Sequence, residues 1–259
     1  DVCSSDLSTM IFEILKNQIE KSRRYISSIG INAIFISLVI YVRYSLYCLL
    51  NDHTLGKEYI FFYTVLSLSL VQTLATTRIP LFCKELKKGT LVKYYKYPIS
   101  LYKQFVYEEI GESFFSLVGI SLFIIAVLVA LSVQQNILYS ILFICAVLLS
   151  ELLAIMISIL LFSLSFIFMS EKCSKALLTC ISDLLSGSMI PLLMLPKWFE
   201  RFCYYTPFPY LIDAPISILL NKAPALNILV LQFIWIIILY IAGTIVLNLV
   251  TKRVTIYGG

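Results

Sequence analysis

The groups able to carry protons, charge or nucleophilic attack are few in this sequence. His53 is the only histidine, so neither a serine–histidine pair within the apolar runs nor a His-Glu-x-x-His zinc site can be assembled. The stretch around Ser188 reads Ser186-Gly187-Ser188-Met189-Ile190-Pro191, which is not a Gly-x-Ser-x-Gly elbow. None of the 9 glycines belongs to a Gly-x-x-x-x-Gly-Lys-Ser/Thr phosphate loop, so if ATP drives this protein a separate subunit must bind it. The 7 cysteines (Cys3, Cys48, Cys83, Cys145, Cys173, Cys180 and Cys203) show no Cys-x-x-Cys spacing, so they read as free thiols without a metal. Hydrolytic catalysis is not expected.

What remains is a sparse set of polar groups within long apolar runs. A charge at the centre of a bilayer costs at least about 2.5–3.5 kcal/mol, which makes each such residue a functional candidate. Glu151 lies mid-run, and Ala154, Ser158 and Ser165 continue its helical face. Thr179, Ser182, Asp183 and Ser186 follow i, i+3, i+4, i+7 spacing on a second segment. The two stripes either line one cavity or hydrogen-bond helix to helix. Arg43 is about 10 Å by helix rise from the outer end of its run, and is expected to snorkel outward. Glu112 sits at a run's inner edge and is exempt.

The elements that must position these groups follow from composition. Of 259 residues, 60% are hydrophobic and 14% charged, with mean hydropathy +0.92. A soluble domain carries about 25% charged residues, so a water-soluble enzyme is excluded. The expectation is an all-α polytopic membrane protein with six spans, at about 25–50, 59–79, 110–133, 137–162, 177–195 and 227–250. Lys and Arg concentrate in the segments 8–24, 78–109, 172–175 and 252–253, whereas Lys57, Lys197, Arg201 and Lys222 are the few on the other side. By the positive-inside rule both termini are cytoplasmic. A nucleic-acid-binding surface is the competing reading of this charge; membrane topology accounts for it better, and no nucleic acid partner is expected.

Along the chain, residues 1–7 (Asp1 to Leu7) look like the translation of a sequencing adapter and are set aside as a probable artefact upstream of a truncated start. In 8–24, Ile11, Phe12, Ile14, Leu15 and Ile19 share one face of an amphipathic interfacial helix. The transmembrane domain is expected over 25–259. The longest inner loop, Arg78 to Glu109, holds a helix-compatible stretch, Leu81 to Lys88, that stops at Gly89, and a second that begins after Pro98. Short, partly apolar helices in a basic loop suggest protein docking, and binding of anionic lipid is compatible with it. In the fifth span the run from Leu177 to Ile190 gives 14 residues before Pro191, a length more typical of a discontinuous segment than of a crossing. Its helix is expected to break at Gly187 and Pro191. Trp198, Phe199, Phe202, Tyr204 and Tyr205 mark an aromatic interface, and Pro207, Pro209 and Pro215 divide the next apolar run into short re-entrant helices.

This order of elements, with Lys84-Glu85-Leu86-Lys87-Lys88-Gly89-Thr90-Leu91 and Tyr97-Pro98-Ile99-Ser100 in the loop, resembles the ABC-2 family of transporter permeases. Ser186-Gly187 with Pro191, then Leu195-Pro196-Lys197-Trp198, Thr206-Pro207-Phe208 and the terminal Arg253 to Gly259, look like the subfamily that ends in a basic residue plus Gly-Gly. The resemblance covers Ser8 to Gly259. It implies a half-transporter in the bacterial plasma membrane, paired with itself or a sister permease and coupled to two copies of a cytoplasmic ABC ATPase. ATP and magnesium would sit on that partner, with no cofactor in this chain. Export of a drug, peptide, lipid or natural product is implied. Arg78, Phe82, Lys84, Glu85, Leu86, Lys87, Lys88 and Gly89 are the candidates for docking the ATPase. Candidates for the translocation path are Glu151, Ser158, Thr179, Asp183 and Ser186. The alternative is an ion-coupled secondary transporter in which Glu151 or Asp183 titrates. That class often shows two related halves, and no such repeat is seen. A structural or assembly membrane protein, the third class, would not need Glu151 in mid-span.

Overall fold

A computed structural model describes residues 29–50, 56–74, 99–111, 113, 137–168, 171–220 and 223–257. They form α1 (Ile29–Leu50), α2 (Lys57–Thr73), α3 (101–111), α4 (Ile137–Phe168), α5 (Glu171–Leu185), α6 (Lys197–Tyr204), α7 (Asp213–Leu219) and α8 (Ala225–Tyr257), with single 3-10 turns at Leu192–Met194 and Phe208–Leu211. There is no strand among the described residues. The expected helix at 8–24, the docking candidates from Arg78 to Gly89 and most of the span expected at 110–133 lie outside them.

The helices begin and end for local reasons. α4 contains neither glycine nor proline and a single charged residue, Glu151, over most of its length, so nothing interrupts its hydrogen-bond ladder. It continues to Phe168, past the expected boundary at 162. α5 stops at Leu185, where Gly187 turns into the left-handed region at φ 79° and Pro191 removes a backbone donor. The chain then returns through short pieces, none long enough to cross a bilayer, before α8.

Two helices, over Leu138–Leu161 and Ala225–Leu249, are long and apolar enough to cross a membrane. They differ in burial, 61% against 22%, which makes α4 the packed centre and α8 a peripheral helix lying along it. The outward residues along the middle of α8 include Phe233, Ile237, Ile241 and Ile245, with Leu249 beyond them. Lipid, not water, is the solvent that such a surface fits. On α6, Trp198, Phe202 and the following Tyr205 are exposed while Cys203 is buried, as for a helix seated on protein at a membrane–water interface.

Helix directions can be read from which ends meet. Ala146 and Ser150 of α4 meet Gln232 of α8, and Tyr102 of α3 meets Met156 and Tyr240, further along the same two helices. α4 and α8 therefore run the same way. Late α1 and early α2 meet the segment after α5, so the connections α1–α2 and α5–α8 lie at one end of the bundle.

Candidate functional site

Where α5 breaks, its carbonyl groups lose the amide donors that a continuing helix would supply. Side chains from two other helices replace them. Arg43 Nη1 of α1 donates to Ser188 O at 2.8 Å, Tyr47 Oη donates to Met189 O, and Tyr63 Oη of α2 lies 2.8 Å from Gly187 O. Arg43 thus departs from the expected outward snorkelling: its guanidinium is turned to the orphaned carbonyl, a partner that the break creates. Gly187 is needed twice over. Its φ of +79° is strained for any other residue, and a Cβ there would sit 2.6 Å from Tyr63 Oη and 3.1 Å from Asp213 Cβ.

Asp213, 3% exposed, opens α7 directly beneath this break, where its N–H donates to Ser186 O at 3.2 Å. Tyr204 Oη donates to Asp213 Oδ2 at 2.7 Å, and Tyr63 Oη lies 2.9 Å from Oδ1. The one phenolic hydrogen of Tyr63 cannot serve both Gly187 O and Asp213 Oδ1 fully. Its hydrogen is shared between these two acceptors, while Tyr204 serves Oδ2 alone. Burial pushes the Asp213 carboxyl above the usual carboxylate range, opposed by the hydrogen bonds from Tyr204, Tyr63 and the Leu192 N–H. The same burial, with Asp213 beside it, pushes the Tyr204 hydroxyl up.

A second polar cluster ties the returning segment to the long helices. Gln232 Nε2 of α8 lies within 2.9 Å of Tyr210 O, 3.0 Å of Ser150 Oγ and 3.1 Å of Ala146 O. Two of these are carbonyl oxygens, which fixes the amide orientation. Ser150 Oγ is itself 2.9 Å from Tyr210 O and 2.8 Å from Ala146 O. Gln232 Oε1 is buried with no hydrogen-bond partner among the described residues.

The expected path residues divide. Glu151, 2% exposed, and Ser158 are both inside α4's packed face. On α5, Ser182 and Ser186 are buried, whereas Thr179 and Asp183 are part-exposed. Asp183 Oδ1 accepts from Ser188 Oγ at 3.0 Å, so its carboxyl is engaged at its own helix end. Ser158 and Ser182 carry buried hydroxyls without a hydrogen-bond partner among the described residues. Such groups are costly unless something transient completes them.

Sequence reasoning missed Asp213, Tyr63, Tyr204, Ser150 and Gln232. Signals were present for two of them. Gln232 is an amide inside an otherwise apolar span, and polar residues there act between helices. Asp213 is an acid in an apolar, proline-divided stretch. The tyrosines carried none, because Tyr63 is one of 17 in the chain.

Residues 29–258 match the sequence family described as ABC-2 family transporter protein. Comparison with curated proteins gives no match.

Proposed function

The chain belongs to the ABC-2 family of transporter proteins, a membrane-embedded permease component that works with an ABC ATPase subunit, and on that premise we propose that it is an exporter half. What carries the reading is that the match runs through every described element, from the start of α1 to the end of α8. In this reading six spans place both termini in the cytoplasm of a bacterial cell, and a second permease, identical or sister, completes the pathway. The α5 break, α6 and α7 then form the outer face, and the loop from Arg78 to Gly89 receives the ATPase at the inner one. Phe82 and Leu86 supply apolar contact there, and Lys84, Lys87 and Lys88 supply charge. The cargo is a drug, peptide, lipid or natural product. It moves past the face of Glu151 and Ser158 on α4 and that of Ser182 and Ser186 on α5, where buried hydroxyls favour a partner that comes and goes.

The physical cycle needs a protein with two packed arrangements, biased by nucleotide at a site that is not in this chain. Closure of the ATPase dimer pushes the loop, and the loop carries that displacement into the bundle.

Co-purification tests this. The chain alone is expected to show no ATP hydrolysis, and co-expression with its ATPase should yield a hydrolysing complex. Phe82→Asp with Leu86→Asp should release the ATPase while the permease stays folded, because apolar contact is replaced by charge. If the ATPase remains bound at unchanged stoichiometry, docking is elsewhere; if no ATPase is ever retained, the ion-coupled reading gains.

A further inference from the structure

Between the proposed docking loop and the third span lies α3, and its contacts are specific. Tyr102, 2% exposed, inserts its ring where α8 carries Gly243: a Cβ at that position would lie 2.7 Å from Tyr102 Cε2 and 2.8 Å from its hydroxyl. Gly243 is helical, so conformational freedom does not explain it; the space does. The ring meets Tyr240, one turn earlier on α8, edge-on with centroids 5.2 Å apart and planes at 87°. Its hydroxyl reaches Met156 Sδ of α4 at 2.9 Å. Phe105, one turn further along α3, is buried in the same core. One side chain of α3 thus keys into both long helices at once, at the end of the bundle opposite the α5 break.

We propose that this seat is where the power stroke enters the membrane: Tyr102, held in the Gly243 notch and against Met156, locks α3 to α4 and α8, so that displacement of the inner loop moves these three helices as one body. The inference rests on the docking reading above and deepens it. A close-packed contact of this kind transmits displacement because interiors are hard to compress. A ring between two helices leaves no soft layer to absorb the push. α1 takes no part in this contact. Its Arg43 and Tyr47 are engaged at the far end, on the carbonyls of Ser188 and Met189. Loop motion is therefore delivered to the α4–α8 pair first, and α1 with the α5 break forms the frame against which that pair moves. Tyr102 and Gly243 are positioning residues on this account. Neither needs to touch the cargo.

The test uses the assembled permease–ATPase complex in lipid nanodiscs, without nucleotide and after trapping with ATP, magnesium and vanadate. Spin labels replace exposed residues: Lys103 on α3 with Ile241 on α8 as one pair, and Lys103 with Val42 on α1 as the other. The Lys103–Ile241 distance should be unchanged by trapping and the Lys103–Val42 distance should shift. A Lys103–Ile241 shift as large as that of the other pair overturns the proposal without any mutation of the seat. Gly243→Ala should uncouple the parts: nucleotide-dependent shift at Lys103–Val42 is retained, Lys103–Ile241 now shifts as well, and ATP hydrolysis continues. Adding Tyr102→Leu makes room for the new methyl group and should restore the fixed Lys103–Ile241 distance. A merely structural role would instead lower assembly and hydrolysis together, with no change in which pair moves, and would count against the proposal. The two readings fail separately. A complex that retains and traps its ATPase while the seat yields contradicts the seat alone, and a chain that never retains the ATPase contradicts the docking reading beneath it.

Discussion

At the end of the bundle where α5 breaks, contacts are polar and crowded: Arg43, Tyr47 and Tyr63 turn hydroxyls and a guanidinium to backbone carbonyls, and Asp213 gathers Tyr63 and Tyr204. At the opposite end Tyr102 fits a notch left by Gly243 and touches Tyr240 and Met156, with shape in place of a hydrogen-bond network. The difference follows from the backbone. A broken helix exposes carbonyl groups that lipid cannot satisfy, so polar side chains must be spent there. Two continuous helices expose none, and apolar packing suffices. Each end uses a glycine, but for unlike reasons: Gly187 for its positive φ as well as space, Gly243 for space only.

The largest effect is expected where both reasons coincide. Gly187→Ala adds left-handed strain of about 1–3 kcal/mol to overpacking that typically costs a further 1–3 kcal/mol. Thermal unfolding of the purified permease should show a large loss of stability, and Tyr63→Phe in the same chain should restore little of it, because the strained φ persists. The corresponding pair at the other end behaves oppositely: Gly243→Ala should cost about 1–3 kcal/mol by overpacking alone, and Tyr102→Leu should recover much of that. If the second substitution rescues Gly187→Ala as well, the two glycines are not distinct.

Asp213 sharpens the polar side of the contrast. Asp213→Leu removes a partner from two phenols, at about 1–3 kcal/mol for each buried group left unsatisfied. Asp213→Asn should be mild, since its amide can donate to Tyr63 and accept from Tyr204. A carboxyl raised above its unfolded value of about 3.9 holds its proton more tightly in the folded state, so its contribution is complete below that value and is lost as pH rises through the folded one. Tyr63 and Tyr204 bond to it, and the nearby Glu200 carboxyl adds to the upward push. Melting measured against pH should therefore fall more steeply for the parent chain than for Asp213→Asn. Parallel profiles would contradict an upward-shifted Asp213 carboxyl.

Smaller effects are expected at the second polar cluster. Gln232→Leu removes three hydrogen-bond contacts, but Ser150 still reaches both carbonyl groups, so the loss should be about 0.5–1.5 kcal/mol. Ser150→Ala should cost no more than Gln232→Leu in thermal unfolding, and the double substitution should exceed the sum, because only then does Tyr210 O lose both donors. Smallest of all is Glu151→Gln, which keeps shape and removes charge. ATP-dependent transport should survive it largely intact, whereas an ion-coupled carrier would lose its proton dependence.

How much of this was legible in the sequence varies with what each residue must satisfy. The apolar runs at 137–162 and 227–250 foretold α4 and α8, because length and hydropathy decide a crossing. Gly187 and Pro191 marked the α5 break through backbone chemistry alone. The polar stripe at Thr179 to Ser186 was visible by spacing, but not its division, in which Asp183 accepts from Ser188 at its helix end and Ser182 turns inward. The partners of the break were not legible, since Arg43 and Tyr63 are separated from it by more than a hundred residues and only the packed fold brings them near. Tyr102 was hidden for the same reason: an aromatic residue gains its role from a glycine on another helix.

The most direct measurement places a photoreactive phenylalanine analogue at Phe82, in the loop assigned to ATPase docking, and at Trp198, on the exposed face of α6. Irradiated in membranes containing the ATPase, the account predicts a cross-link to that subunit from Phe82 and none from Trp198. A cross-link from Trp198, or none from either position, would contradict it.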